Sequence, residues 1–510
     1  MFLTTFLGHQ GWAFSAGTTT VFVDPLLRPG IGQGADVAEL FPPRVWGPAA
    51  PPPVAAVLLT HEHEDHFDIP SLARVDRAVP ILLSGGSSSS AETALVEMGF
   101  RVRRVYGGER VVVGDLELYG FSPDHLANDN SDEWDVLQFL VRDAAGHGSF
   151  FSGVDAIVSA ETESAVRAIT DRRGLWCATN NSTNWSFTRA GRIFQANPPL
   201  DTLRLASQIA ADEAQLRWRW APPAGLLFCG SGYSFSGARA WLNRNVFYAD
   251  SERIAAALAS LLPGELVLAP APGQTISMQG GSVAGCAARA PYLAAASRDA
   301  WPDRTYAGDV ALMDVGPPLS GRHELSPREL DEVRARLGDF AAFLYGGAEF
   351  RTLYSAPERR FEGRRLALAV VLLADEDGGA YVVEYDPTSC TFKSVEVADP
   401  AAEYAFGIEC WGSDLLEALR GEAGPLGLAF GGARTWSYGP PGFEFSLRSL
   451  WAMLHPLRRP NEFLALYRKL AASAGEGPPL LRADPGRPIE VGRFETAAKG
   501  RREGRGDGAP

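Results

Sequence analysis

A chain of 510 residues exceeds what one hydrophobic core organises, so two or three domains are expected. A formal charge of -14 with an isoelectric point near 5.2 argues against a nucleic-acid partner, because phosphate binding needs a concentrated basic face. Five cysteines, Cys177, Cys229, Cys286, Cys390 and Cys410, are odd in number and lack Cys-x-x-Cys spacing, which speaks against a zinc ribbon, a cluster or a redox pair and makes a reducing cytoplasm the simplest compartment.

The opening Met1 to His9 has neither a basic n-region nor a small-residue cleavage site, and no run of about 18 apolar residues follows anywhere, so a soluble, unprocessed chain without a membrane span is expected. Short strands are predicted at Thr4 to Leu7, Ala13 to Ala16 and Thr19 to Val23, the last ending at Asp24-Pro25. A loop rich in proline and glycine runs from Arg28 to Pro53. Val54 to Leu59 is then an uninterrupted apolar run of strand length, the pattern of a strand covered on both faces, and it leads directly into Thr60-His61-Glu62-His63-Glu64-Asp65-His66. Beyond it the pattern predicts a short helix at Ile69 to Arg74, a strand at Val79 to Leu83, a helix at Glu92 to Met98 and a strand pair from Arg110 to Phe121 around Gly114-Asp115. Strand and helix patterns alternate to about residue 290, which gives an α/β layered domain over 1–310.

Trp301 to His323 is polar and marks the boundary. Ser326-Pro327-Arg328-Glu329 opens a helix, with an N-cap, proline at the first helical position and glutamate three residues after the cap. Leu366 to Leu373 and Ala380 to Tyr385 are joined by the hairpin signal Asp375 to Gly379. Amphipathic patterns at Asp414 to Leu419 and Leu447 to Leu454 complete a smaller α+β domain over 320–485. Residues 486–510 read as a disordered tail.

Three histidines and an aspartate within six residues, His61, His63, Asp65 and His66, are a metal-binding pattern, since such groups are rarely buried without a partner. Neutral imidazoles and a hard carboxylate suit zinc, iron or manganese, and one or two ions of iron or zinc are expected. Alternation along an extended segment would aim His61 and His63 at one ion and Asp65 and His66 at a second.

This cluster resembles the metal-binding signature of the metallo-β-lactamase superfamily, His-x-His-x-Asp-His after a buried strand. The resemblance implies an αββα sandwich and a metalloenzyme. Gly8-His9 and Val21 to Pro25 look like the superfamily's opening strands, with His9 near the ion. His125, in Phe121-Ser-Pro-Asp-His125, fits the family's third histidine of the first site, and Asp155, in Phe150-Phe-Ser-Gly-Val-Asp155, fits its bridging aspartate. The family's last histidine has no counterpart. Of the eight histidines, His147, His323 and His455 are not suitably placed, and Gln274 stands in the region concerned, which implies a second site that is weak, differently ligated or empty.

A closer likeness is to the metallo-β-lactamase-type half of CMP-N-acetylneuraminate hydroxylase, carried by Phe228-Cys-Gly-Ser-Gly-Tyr233-Ser-Phe235, Asn243-Arg244 and Pro270-Ala-Pro-Gly-Gln274-Thr275, over residues 5–285. It implies an iron-dependent oxygenase. That family carries a Rieske centre needing Cys-x-His pairs, which are absent here, so electrons would come from a separate electron-transfer protein or from the substrate. Two mechanisms stay open for a small-molecule substrate. One is oxygenation, which the closer likeness favours; the other is zinc-dependent hydrolysis of an ester, amide or phosphoester, with Asp65 or Asp155 taking the proton. Tyr233, Asn184 and Gln274 are candidate substrate contacts, although Asn184 also reads as part of a plain polar loop.

Ile408 to Glu422 and Leu426 to Ala433 weakly resemble sterol-carrier-protein folds; an ordinary accessory domain reads equally well. Trp436, Tyr438 and Phe443 read as core or loop packing rather than a ligand cage. A fragment ending near Pro317 would then carry the whole metal site.

Overall fold

The computed structural model describes all residues except 34–36, 124–134, 157, 171–173, 180–188, 191–223, 231, 244–250, 303–314, 347–359, 362, 376–378, 438–453, 476–477, 485–486 and 495–510. His125, Asn184, Arg244, Tyr438, Phe443 and most of the Leu447 to Leu454 pattern fall outside the described residues.

The run Val54 to Leu59 becomes the strand Ala56–Leu59, parallel both to Thr19–Val23 and to Ile81–Ser84. Its side chains alternate between two cores. Ala56 and Leu58 face a layer with Phe14, Val21 and Phe150, while Val57 and Leu59 face helices through Phe67, Leu72 and Leu95. A strand buried on both faces needs this continuous apolar pattern. The full first sheet has eight strands, from Ser282–Arg289 and Gln274–Gln279 at one edge through Phe2–Gly8, Gly11–Ala16 and Thr19–Val23 to Ala56–Leu59, Ile81–Ser84 and Val102–Val105 at the other.

A second eight-stranded sheet lies face to face with it. Its middle is Leu116–Phe121, Gln138–Asp143 and Ser149–Ser152, antiparallel in succession, followed by the parallel strands Leu175–Thr179 and Gly225–Cys229. Helices Ala160–Thr170 and Ser251–Leu261 cover its outer face through Ala165, Val166, Ile254 and Leu258. The result is the expected αββα sandwich. Parallel strands direct their C-terminal ends to one rim, so Asp24, Thr60 and the histidine cluster meet there.

The second lobe is a seven-stranded sheet in which Arg364–Leu373 pairs antiparallel with Ala380–Asp386, as the hairpin signal predicts, and parallel with Tyr404–Trp411. Helices Pro327–Gly338 and Gly412–Arg420 pack on it through Val333, Leu337, Leu415 and Leu416. Trp436 is fully buried, its Nε1 donating to Tyr404 O at 3.1 Å, and is core packing.

Two expectations change. The lobes are not sequential: helix Pro460–Ser473 returns to the first lobe and packs Phe463, Leu466 and Tyr467 against the faces of Ile69–Leu72 and Ser89–Glu97, with Leu481 in the same core. Nor is the chain beyond 486 all tail, because Ile489–Arg493 pairs antiparallel with Glu109–Val113 as the edge of the second sheet. Its alternation of Ile489 and Val491 with polar residues is a half-buried edge strand, and the surrounding glycine and charge masked that signal.

Candidate metal centre

The site is assembled by hydrogen bonds that orient each imidazole. Asp24 adopts a left-handed backbone (φ 43°) at the end of Thr19–Val23 and accepts from Thr60 N at 2.8 Å, Thr60 Oγ1 at 2.5 Å and His66 Nδ1 at 2.8 Å. His66 Nδ1 is therefore the donor, and its Nε2 lone pair faces the site. The Thr60 hydroxyl, having given its proton to Asp24, can accept from His61 Nδ1 at 3.1 Å, which turns His61 Nε2 the same way.

Both Nε2 atoms are buried and make no hydrogen bond. They lie 3.4 and 3.3 Å from Asp155 Oδ2, while Gln10 Nε2 holds the other Asp155 oxygen at 2.5 Å. Ligands about 2.1 Å from a tetrahedral ion sit roughly 3.4 Å apart, so this spacing fits three ligands of one ion. Two buried, orphaned imidazole nitrogens beside a carboxylate are costly unless a cation completes them. The residues present fit a metal.

A second group forms on the other side of His66. His9 stands at a left-handed position (φ 54°) in the turn between Phe2–Gly8 and Gly11–Ala16. Its Nδ1 accepts from Gly232 N at 3.1 Å, and its Nε2 lies 2.8 Å from Asp65 Oδ2. Among the described residues two metal-capable groups result, His61, His66 and Asp155, and His9, Asp65 and His66. His63 packs its ring 4.5 Å from that of His61 but belongs to neither group. The even pairing expected from alternation fails because the chain bends: His63 O accepts from His66 N and Phe67 N at 2.9 and 2.8 Å, closing a turn inside the motif.

Charge and burial set the protonation of these groups. Burial, with His66 and His63 nearby, pushes His61 down and keeps it a neutral ligand. Burial opposes a charge on His66, but Asp65 and Asp24 raise it well above its ordinary value, so an ion at His66 must displace a proton. Burial alone would raise the Asp155 carboxyl; the His61 and His66 rings hold it well below the usual range.

The two glutamates of the motif turn away from the ligands. Glu62 accepts from Ser88 Oγ at 2.8 Å and Tyr467 OH at 3.2 Å, and burial beside Asp135 pushes its carboxyl up to about 7. Glu64 accepts from Leu426 N of the second lobe at 2.8 Å, and burial pushes it up to about 8.

Tyr233 is buried with its ring 6.1 Å from His9, against Phe430 of the second lobe at 4.8 Å. Gln274 is not brought to the site: its amide accepts from Ala271 N at 3.0 Å and donates to Cys286 O at 2.7 Å, so it braces a hairpin. His9, from the first turn of the chain, instead stands beside Asp65 and His66, its Nε2 facing Asp65 Oδ2. Sequence reasoning passed over Asp24, Gln10, Asp135 and His455. Asp24 had a signal in its place at the end of a buried strand, and Gln10 in its adjacency to His9. His455 had none, being nearly 400 positions from the motif.

Residues 19–171 match the β-lactamase superfamily domain. Among solved structures, a possible metal-dependent hydrolase from Veillonella parvula DSM 2008 is 14% identical with a TM-score of 0.37, over 55% of this chain and 100% of its own. Isothiocyanate hydrolase from Delia radicum gut bacteria is 16% identical, with a TM-score of 0.34 over 55% of this chain and 100% of its own. CmlA, a diiron β-hydroxylase from Streptomyces venezuelae, is 16% identical, with a TM-score of 0.30 over 55% of this chain and 54% of its own. No curated protein matches the chain.

Proposed function

We propose that this chain, in which residues 19–171 form a β-lactamase superfamily domain, is a metal-dependent hydrolase of an ester, amide or phosphoester in a small molecule. The observation that supports this reading is the pair of buried imidazole nitrogens, His61 Nε2 and His66 Nε2, turned toward Asp155, with Asp65 as a second carboxylate beside His66. Hydrolysis also balances without an electron-transfer partner.

His61, His66 and Asp155 would hold one ion and Asp65, oriented by the Nε2–H of His9, would face a second, with His63 and His125 as further candidates. A divalent ion bound there acidifies water and polarises a carbonyl or phosphoryl oxygen. Asp65 is the more exposed of the two carboxylates and is oriented by His9, so it is placed to accept the proton of the attacking water. Gln10 fixes Asp155 so that one oxygen stays turned toward His61 and His66. Tyr233 closes the wall beside His9 with an aromatic face.

The test is the metal content of protein purified without added metal, together with turnover of chromogenic ester, amide and phosphodiester substrates. Stoichiometric zinc, with hydrolysis lost in folded His61→Ala, is the expected result. Iron with oxygen-sensitive absorption, and substrate-dependent oxygen uptake without hydrolysis, would return the reading to an oxygenase.

A further inference from the structure

We infer that the second lobe completes the metal centre through His455, which acts with Asp135 as a positioning pair that fixes the backbone between His61 and His63. The inference rests on the metal-centre reading above and goes beyond it by giving the second lobe a part in the site.

Asp135 Oδ2 accepts from Glu62 N at 2.8 Å, and two residues on, Leu137 N donates to Thr60 O at 2.9 Å. The segment at 135–137 is therefore stitched to the motif on either side of His61. Glu62 N is the backbone donor between two candidate ligands, and side chains alternate across it. A shift there would turn His61 and His63 in opposite senses.

Asp135 is fully buried, and a buried carboxylate needs a compensating donor or cation. His455 is packed against it, with Nε2 3.4 Å from Asp135 Oδ1. Its Nδ1 accepts from Leu457 N at 3.2 Å, which leaves the proton of the neutral ring on Nε2, facing the carboxylate. The His455 ring also lies 6.1 Å from the ring of His63, in an edge-to-face arrangement.

The position of His455 is set by the second lobe. Leu454 belongs to that lobe's core, and the buried Arg459 guanidinium donates to Ala418 O at 3.2 Å and to Leu419 O, at the end of helix Gly412–Arg420. Docking of that lobe is thus transmitted through Arg459, His455 and Asp135 to Glu62.

The experiment is cobalt and zinc titration of the full-length protein against a chromophoric chelator, with the visible spectrum of the cobalt form. His455→Ala is expected to lower metal affinity by about 10- to 100-fold, the usual cost of losing an outer partner of a metal site, and to shift the cobalt bands. His455→Gln, whose amide can donate to Asp135, should restore most of both. Asp135→Asn should show the same loss, and combining it with His455→Ala should add little, since the two act as a unit. Wild-type affinity and an unchanged cobalt spectrum in folded His455→Ala would overturn the inference. So would loss of one whole equivalent of metal that His455→Gln does not restore, which would make His455 a ligand. If His455→Ala fails to fold, the glutamine and Asp135→Asn variants decide by the same two readouts. Full metal retention in His61→Ala would sink the metal-centre reading instead, whatever His455 does.

Discussion

His9 holds a left-handed backbone with Gly232 pressed against it: a Cβ on Gly232 would lie 2.7 Å from His9 Cα and 3.0 Å from Phe41 O. Real Cβ atoms do not approach so closely, so backbone must move. Gly232→Ala is therefore expected to destabilise the protein by about 1–3 kcal/mol, the usual cost of overpacking, and, on the proposed two-ion site, to weaken the ion at Asp65, which His9 orients, while sparing that at His61. Denaturant unfolding and a two-site zinc titration check this; equal weakening of both ions would show that His9 does not orient one of them. At this scale the motif His61 to His66 was legible because metal ligands cluster in sequence. The hydrogen bonds of His9 and the part of His455 were not, because they depend on neighbours in space, and those neighbours, Gly232 and Asp135, are distant in the chain.

The capping box read at Ser326 forms as expected, with Ser326 Oγ accepting from Glu329 N at 3.3 Å and Glu329 Oε2 accepting from Ser326 N at 3.0 Å. Those bonds from the Ser326 backbone and hydroxyl, with Arg322 beside them, lower the Glu329 carboxyl from its ordinary 4.5 to about 2. A depressed carboxyl contributes stability that is present above the unfolded value and lost as pH falls through the folded one. Ser326→Ala should cost about 1 kcal/mol at neutral pH, and the difference from wild type should shrink between pH 4.5 and 2. Unfolding curves across that range test it, and a difference independent of pH would mean that the glutamate does not close the box. Local chemistry of this kind is readable because cap and partner are three residues apart. The strand Ile489–Arg493 was harder to read, since its short alternation is masked by glycine and charge and its partner, Glu109–Val113, lies far back in the chain.

At the scale of the molecule the two lobes are interleaved. Phe463, Leu466, Tyr467 and Leu481 are buried in the first lobe although they follow the whole of the second. At about 1.5–3 kcal/mol for each fully buried side chain, removing them takes away roughly 6–12 kcal/mol. That is comparable with the 5–15 kcal/mol net stability of a typical protein, about all it has. A fragment ending near Pro317 should thus aggregate or remain molten, exposing the helix faces of Ile69–Leu72 and Ser89–Glu97 and the bare edge of Glu109–Val113. Size-exclusion chromatography and thermal melting test this; a monodisperse fragment that melts cooperatively would show that the returning segment is dispensable.

By itself the sequence determined the layered α/β domain, which the family resemblance made a sandwich, and the place of the histidine cluster at a strand end, because hydrophobic period and a cluster of adjacent residues are short-range patterns. It determined the second lobe's hairpin and helix start for the same reason. Only the tertiary structure decided that His9 joins Asp65 and His66, that Gln274 braces a hairpin, and that the chain returns to the first lobe with His455 behind the motif. Those outcomes depend on which distant segments share buried space, and packing of that kind leaves no periodic trace in the order of residues.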